Sequence, residues 1–228
     1  MATASKASLL DTFFNADIIR KTAPAIIEAA WQTALLGVAI ILCGVLLGIL
    51  LASIRYGTRS RVITGAIVGA VDVLRAIPPL VLLIVVYFAL PYIDISIGSA
   101  AATLICLGAI LTAFIEECVW SGICTLPKGQ MEAARSTGMT WLAAMWHVIL
   151  PQALKISLPQ MTNRCIATIK NTALGSVIGF SEVLGRAQSA SSDYANPTPL
   201  TVGAIVYIAM IFPIVLFSRY LEHRSGAR

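Results

Sequence analysis

The sequence predicts an all-α membrane protein that crosses the bilayer five times. Three observations predict it. Of the 228 residues, 58% are hydrophobic and only 12% are charged, where a soluble domain carries about 25% charged residues. Long uncharged runs recur along the chain, and a membrane span needs about 20 apolar residues. The basic residues collect mainly at the ends of these runs. No polar block is long enough for a second core. One membrane domain, residues 31–222, is therefore expected between an N-terminal segment, 1–30, and a short tail, 223–228.

Residues 1–30 lack the apolar stretch and cleavage site of a signal peptide. Leu9, Leu10, Phe13, Phe14, Ile18 and Ile19 recur at helical spacing among polar residues. The segment reads either as an interfacial helix or as a partly ordered tail. Thr33 to Ala52 is uncharged and forms the first span, with Trp31 at its interface. Gly44 and Gly48, four apart, read either as a helix–helix seam or as the ordinary glycine content of membrane helices. Arg55, Arg59 and Arg61 crowd the next short loop, and short basic loops stay in the cytoplasm. The N-terminus is then outside.

The second span runs from about Val62 to Leu90, and Pro78-Pro79 should kink or break it. Asp72 and Arg75 lie three apart on one face of it. A charge near the bilayer centre costs about 2.5 to 3.5 kcal/mol on insertion scales. These two should pair, snorkel or face a watery cavity. Pro91 to Asp94 lacks Lys and Arg, as an outside loop should. The third span, about Ile95 to Ser121, carries Glu116 and Glu117 near its end. These acids need a cation or a proton.

Residues 127–159 form the longest stretch after the N-terminal segment without a bilayer-length apolar run. Glu132-Ala133-Ala134 favour a helix, Gly138 ends it, and Pro151 and Pro159 punctuate the residues beyond that turn. A short helix, a glycine turn and a second short helix make a surface module at a membrane face. Lys128, Arg135 and Lys155 place it inside.

The fourth span, about Ile156 to Phe180, is the most polar. Gln160, Asn163, Arg164, Lys170 and Asn171 fall within a helical arc of roughly 120°. Leu158, Met161, Cys165, Ile166, Ile169 and Ala173 take the opposite side. The polar arc should face a pore or cavity, or else satisfy partner helices. Ser181 to Pro199 is polar and outside, and Leu200 to Ser218 is the fifth span. Of the 16 Lys and Arg, nine fall inside, four outside and three, Arg75, Arg164 and Lys170, within the membrane. The net charge of +5 thus reads as topology, with the C-terminus inside, and not as nucleic-acid affinity.

The order Glu132-Ala133-Ala134, three residues, Gly138, nine residues, Val148-x-Leu150-Pro151 resembles the EAA loop of ABC importer permeases. Leu126-Pro127-Lys128-Gly129-Gln130 and Leu150-Pro151-Gln152-Ala153-Leu154 sharpen the match to the polar amino acid branch, the histidine and glutamine permeases. Val71-Asp72-x-x-Arg75 to Pro78 resembles that family's Val-Glu-x-x-Arg-Gly-Thr-Pro, with Asp for Glu. Lys170-Asn171-Thr172-Ala173-Leu174 resembles its Lys-Asp-Thr-Ser-Leu. Ala113-Phe114, Glu117 and Gly122-Ile123 also match, but Trp120 stands where the family has Arg, which removes an expected i,i+3 partner of Glu117.

The resemblance implies a type I importer fold in which residues 127–150 hold coupling helices. Glu132, Ala133, Ala134 and Gly138 would couple to an ATPase. The intramembrane charges themselves, Asp72, Arg75 and Glu117, and the polar arc then read as the lining of the substrate path. The resemblance also implies two ATPase subunits carrying ATP and Mg, a second copy or sister permease, a periplasmic or lipid-anchored solute-binding protein, and a bacterial inner-membrane location. The implied cargo is a polar amino acid or a derivative such as an opine, carried by alternating access. The chain has no P-loop G-x-x-x-x-G-K-[ST], so ATP hydrolysis must come from a partner. An ion-coupled secondary transporter is the alternative, but no internal repeat is visible. No H-E-x-x-H or G-x-S-x-G motif points to a membrane enzyme. Five cysteines without C-x-x-C, and His147 and His223 far apart, argue against a metal site. The cysteines read as buried free thiols.

Overall fold

A computed structural model describes residues 9–224. Residues 1–8 of the N-terminal segment and 225–228 of the tail lie outside the described residues, as do the side chains of Leu10 and of 221–224. The described residues form helices and turns, with no strand among them. A short helix α1, Leu9–Phe13, precedes α2, Ala16–Gly57, a single helix of 42 residues. At 1.5 Å per residue, α2 is about 63 Å long, twice the hydrocarbon thickness of about 30 Å. Asn15 starts it by accepting from the amides of Asp17 and Ile18. The helix therefore runs through residue 30, where the sequence suggested a segment boundary, and it carries Arg55 in its last turn, not in a loop.

Helix α3, Arg61–Ala76, and helix α4, Pro79–Ala89, make one broken span bent by 101°. The break has a local cause. Ile77 precedes a proline and must leave the helical region, and it sits extended at φ −80°, ψ 128°. Pro79, lacking a donor, then opens α4 at no hydrogen-bond cost. The expected kink is a true discontinuity.

Helix α5, Ser99–Thr125, is the central element and is largely buried. It packs against α2, α3, α4 and α8. Leu107, Leu111, Ile115 and Val119 meet Ile40 of α2 and Ile149 in the main core. The α2–α5 contact passes through glycines. A Cβ on Gly44 would stand 2.8 Å from Leu111, and one on Gly48 would stand 2.6 Å from Ile115. The pair is a helix–helix seam.

Helix α6, Gly129–Ser136, and α7, Trp141–Ala144, come next. From α7 a π-helical turn, Met145–Ile149, runs directly into α8, Leu150–Asn171. Pro151 does not interrupt this run; it directly follows the π turn, at the start of α8. Pro159 lies inside α8. The fourth span then tightens into a 3₁₀ segment, Thr172–Ile178, closed by Gly179 at φ +81°. Helix α9, Val183–Asp193, lies in the stretch expected to be polar and outside, and α10, Thr198–Arg224, is the last span. By length and hydropathy α2, α5 and α10 can each cross a membrane, as can the α3–α4 pair taken together. Helix α8, about 33 Å long, has the length, but its polar arc keeps it below that apolar standard.

Glu182 holds α9 in place. It is fully buried, caps α9 by accepting from the amides of Leu184 and Gly185, and accepts from the Tyr207 hydroxyl of α10. Burial pushes its carboxyl above the usual carboxylate range, against the downward pull of these hydrogen bonds. Ile26, Val183, Ala187 and Val202 pack beside it. The five cysteines are free thiols, but Cys43 and Cys124 are exposed, not buried. Both lie on apolar helices, where an exposed side chain faces lipid or a partner.

Candidate functional site

The first part of the site is the turn after α6. The Gly138 amide donates to the Arg135 carbonyl at 3.1 Å, and the Met139 amide donates to the Ala134 carbonyl at 3.4 Å. These two bonds form a Schellman cap, and Gly138 fills its left-handed position at φ +87°. Ala134 is buried, while Glu132, Ala133 and Gly138 are exposed. So the helix is held through Ala134 and presents Glu132 and Ala133 outward. Thr140 caps α7 by accepting from the Ala143 amide. Gln152 donates to the Val148 carbonyl at 2.7 Å and to Gln130 at 3.4 Å, tying the start of α8 to α6.

The second part is the polar face of α8. Gln160, Asn163, Arg164 and Lys170 are exposed, and Asn171 is half-buried. On the other side Met161 and Ile169 are buried, and Leu158, Cys165, Ile166 and Ala173 are half-buried. The apolar side is turned into the protein because it seats on α5, where Ser157 donates to the Cys118 carbonyl at 2.7 Å. A Cβ on Gly122 would collide with Ser157 there, so the small residue sets the closeness of the two helices.

The third part is a set of charges along one edge of α5. Phe114, Glu117 and Trp120 repeat every three residues and are its partly exposed stripe. Three arginines from three helices converge on them. Arg75 of α3 approaches Glu117 at 3.4 Å and its own Asp72 at 3.7 Å. Arg164 of α8 lies over the Phe114 ring, 4.1 Å from its centroid. Arg55 of α2 pairs with Glu116 at 3.1 Å, approaches Glu117 at 3.7 Å and covers Trp120 at 4.0 Å. The acids that lacked a cation in the sequence have two.

Asp72, Arg75 and Glu117 are therefore one cluster, and Arg164 adjoins it through Phe114. Lys170 lies apart, lining a groove of about 560 Å³ with Leu200, Tyr207 and Ile211 of α10. Among the described residues neither Arg164 nor Lys170 makes an ion pair. Sequence reasoning missed Arg55, Glu116, Phe114 and Trp120 as members of the cluster. The available signal was Trp120 itself, an aromatic platform three residues from Glu117 where a cation was expected. No group of three or more His, Cys, Asp or Glu among the described residues could hold a metal.

Residues 44–226 match the family described as binding-protein-dependent transport system inner membrane component. This chain belongs to that family. It is thus the membrane-spanning permease of an ABC transport system, and ATP is hydrolysed by partner subunits. Similar proteins include the probable glutamine ABC transporter permease protein GlnP of Bacillus subtilis (strain 168), 32% identical over 183 residues that cover 78% of this permease and 83% of that protein. The probable amino-acid ABC transporter permease protein YckA of the same organism is 30% identical and covers 92% and 95%. Among solved structures, one described as an amino acid ABC transporter with histidines superposes with TM-score 0.80 at 31% identity, covering 90% of this permease and 96% of that chain. These matches agree with the type I importer fold read from the EAA-like loop.

Proposed function

We propose that this permease carries a polar amino acid, or a derivative such as an opine, into the cytoplasm. The observation that carries the reading is the face of α8: exposed Arg164 beside the Arg75–Glu117–Asp72 cluster, and exposed Lys170 further along the same helix, both without acid partners. Lipid solvates such groups at high cost. A water-filled cavity between two permease copies, or a copy and a sister subunit, solvates them cheaply. A substrate carboxylate would pair with Arg164 or Lys170, and its ammonium with Glu117 or Asp72. Similarity to permeases of glutamine and other amino acid transporters supports the cargo class. Two ATPase subunits holding ATP and Mg would dock on the α6–α7 module around Glu132 and Gly138, and a solute-binding protein would deliver substrate from outside. Closure of the ATPase pair would move α6 as a lever and open the cavity outward.

The test is uptake into vesicles that contain the permease, its ATPase and its binding protein, competed with a panel of amino acids. In the same vesicles a cysteine at Asn163, in a background without the native cysteines, should react with a water-soluble thiol reagent and be protected by the transported amino acid. A cysteine at Met161, on the buried side, should stay inert. Absence of amino acid uptake, or equal reactivity of the two positions, would overturn the assignment.

The N-terminus outside and C-terminus inside complete the proposal, on the nine-to-four asymmetry of basic residues. A membrane-impermeant thiol reagent on intact cells should label a cysteine at Ser192 and miss one at Ser136. Labelling of Ser136 alone would reverse the topology.

A further inference from the structure

Arg55 is not among the residues proposed to meet substrate, yet it engages two acids and an aromatic ring. Its side chain is 13% exposed and reaches from the last turn of α2 to Glu116, whose side chain is fully buried. The same guanidinium nitrogen meets both Glu116 oxygens, at 3.1 and 3.3 Å, and lies 3.7 Å from Glu117. The guanidinium rests on the Trp120 ring, and its buried Nε has no hydrogen-bond partner. Glu117 is thereby placed between two cations on different helices: Arg55 of α2 at 3.7 Å and Arg75 of α3 at 3.4 Å. Arg75 sits in the last turn of α3, immediately before the 101° break.

We propose that Arg55 is a positioning residue for transport: by neutralising Glu116 it keeps the Glu117 carboxylate directed at Arg75, which pins the broken span at its bend to α5. Glu116 and Glu117 are adjacent like charges, so whichever of them lacks a cation competes for the nearest one. With Arg55 in place, Glu116 is satisfied from the α2 side and Arg75 is left to Glu117 and Asp72. Without it, Glu116 and Glu117 share Arg75, and the α3–α5 contact is drawn out of register. The inference needs only that the chain is a permease, and holds for any cargo.

Position 120 allows a rescue test. It is four residues after Glu116 and three after Glu117, so a cation there shares a helix face with both acids. The complex with its ATPase and binding protein is assayed for uptake, and the permease for thermal unfolding in detergent. Arg55→Met should lower the amount of folded protein, since it strands a buried carboxylate, and should also lower uptake per folded permease at least tenfold. Arg55→Met with Glu116→Gln removes both buried charges and leaves Arg75 to Glu117 and Asp72, so it should restore the melting temperature to within a few degrees of the wild type and uptake to within about threefold. Arg55→Met with Trp120→Arg returns a cation to both acids and should recover uptake to within about threefold. Wild-type uptake per folded molecule by the Arg55→Met variant would reduce Arg55 to a stabilising role and overturn the proposal, as would a well-folded Arg55→Met, Glu116→Gln variant that fails to transport. So would a well-folded Arg55→Met, Trp120→Arg variant that fails to transport. Lack of uptake by the wild-type complex would count against the permease assignment itself, and not against Arg55.

Discussion

Gly138→Asp is expected to abolish transport while the permease still inserts and accumulates. Gly138 occupies the left-handed position of the cap after α6, at φ +87°. Nothing lies within 4 Å of a Cβ built there, so space is not the constraint. A non-glycine residue in this conformation costs about 1–2 kcal/mol, although Asp and Asn tolerate it better than most. Asp adds a second effect: a negative charge beside the carbonyl end of α6, against the helix dipole, at about 0.3–1 kcal/mol. It also places an acid on the surface proposed to meet the ATPase. Together these shift α6 and weaken docking without disturbing the membrane core. Gly138→Asn separates the two effects, because it keeps the tolerance for left-handed backbone and omits the charge. Uptake should fall in the order Gly, Asn, Asp. Wild-type uptake by a well-expressed Gly138→Asp variant would remove the lever role from this turn.

Gly48→Leu should prevent the permease from accumulating at all. A Cβ at residue 48 would lie 2.6 Å from Ile115 Cβ and 2.9 Å from the Thr112 carbonyl oxygen. The carbonyl belongs to the backbone of α5 and cannot rotate away, so the helices must separate. Overpacking of this kind costs about 1–3 kcal/mol for a small addition, and Leu adds a whole branched side chain. The main core, which includes Ile40, Leu111, Ile115 and Val119, is forced open along this seam. Gly48→Ala should lower the melting temperature measurably, and Gly69→Ala, where nothing lies within 4 Å, should not. Equal melting temperatures for the Gly48→Ala and Gly69→Ala variants would show that the seam does not hold the fold.

Much of the candidate site was legible because its signals are local. Glu132-Ala133-Ala134 and Gly138 report a helix and its left-handed end, and the Schellman bonds arise from that order. The arc of Gln160, Asn163, Arg164, Lys170 and Asn171 comes from a helical period of 3.6 residues, and the structure leaves four of the five exposed. The break at Ile77–Pro78 is the result of steric exclusion by two prolines. The continuity of α7 into α8 was not legible, because Pro151 looks like an interruption unless the π turn before it is known. Nor was α9, since polar composition beside a buried Glu182 gives no hint that Tyr207, 25 residues away, completes its hydrogen bonding.

The sequence alone determined the helical class, the broken second span, the polar face of α8 and the glycine-ended α6–α7 module, since each depends on composition, period or the backbone freedom of a few neighbouring residues. Only the tertiary structure decided which helical faces meet. Gly44 and Gly48 share the spacing of Gly65 and Gly69, yet the first pair receives Leu111 and Ile115 while the second faces open space. Hydropathy cannot separate them, because lipid is as apolar as a neighbouring helix and leaves no polarity difference to read. The partner of Glu116 was hidden for a related reason. Arg55 lies 61 residues away, and a pair held through space across two helices leaves no periodic trace in the chain.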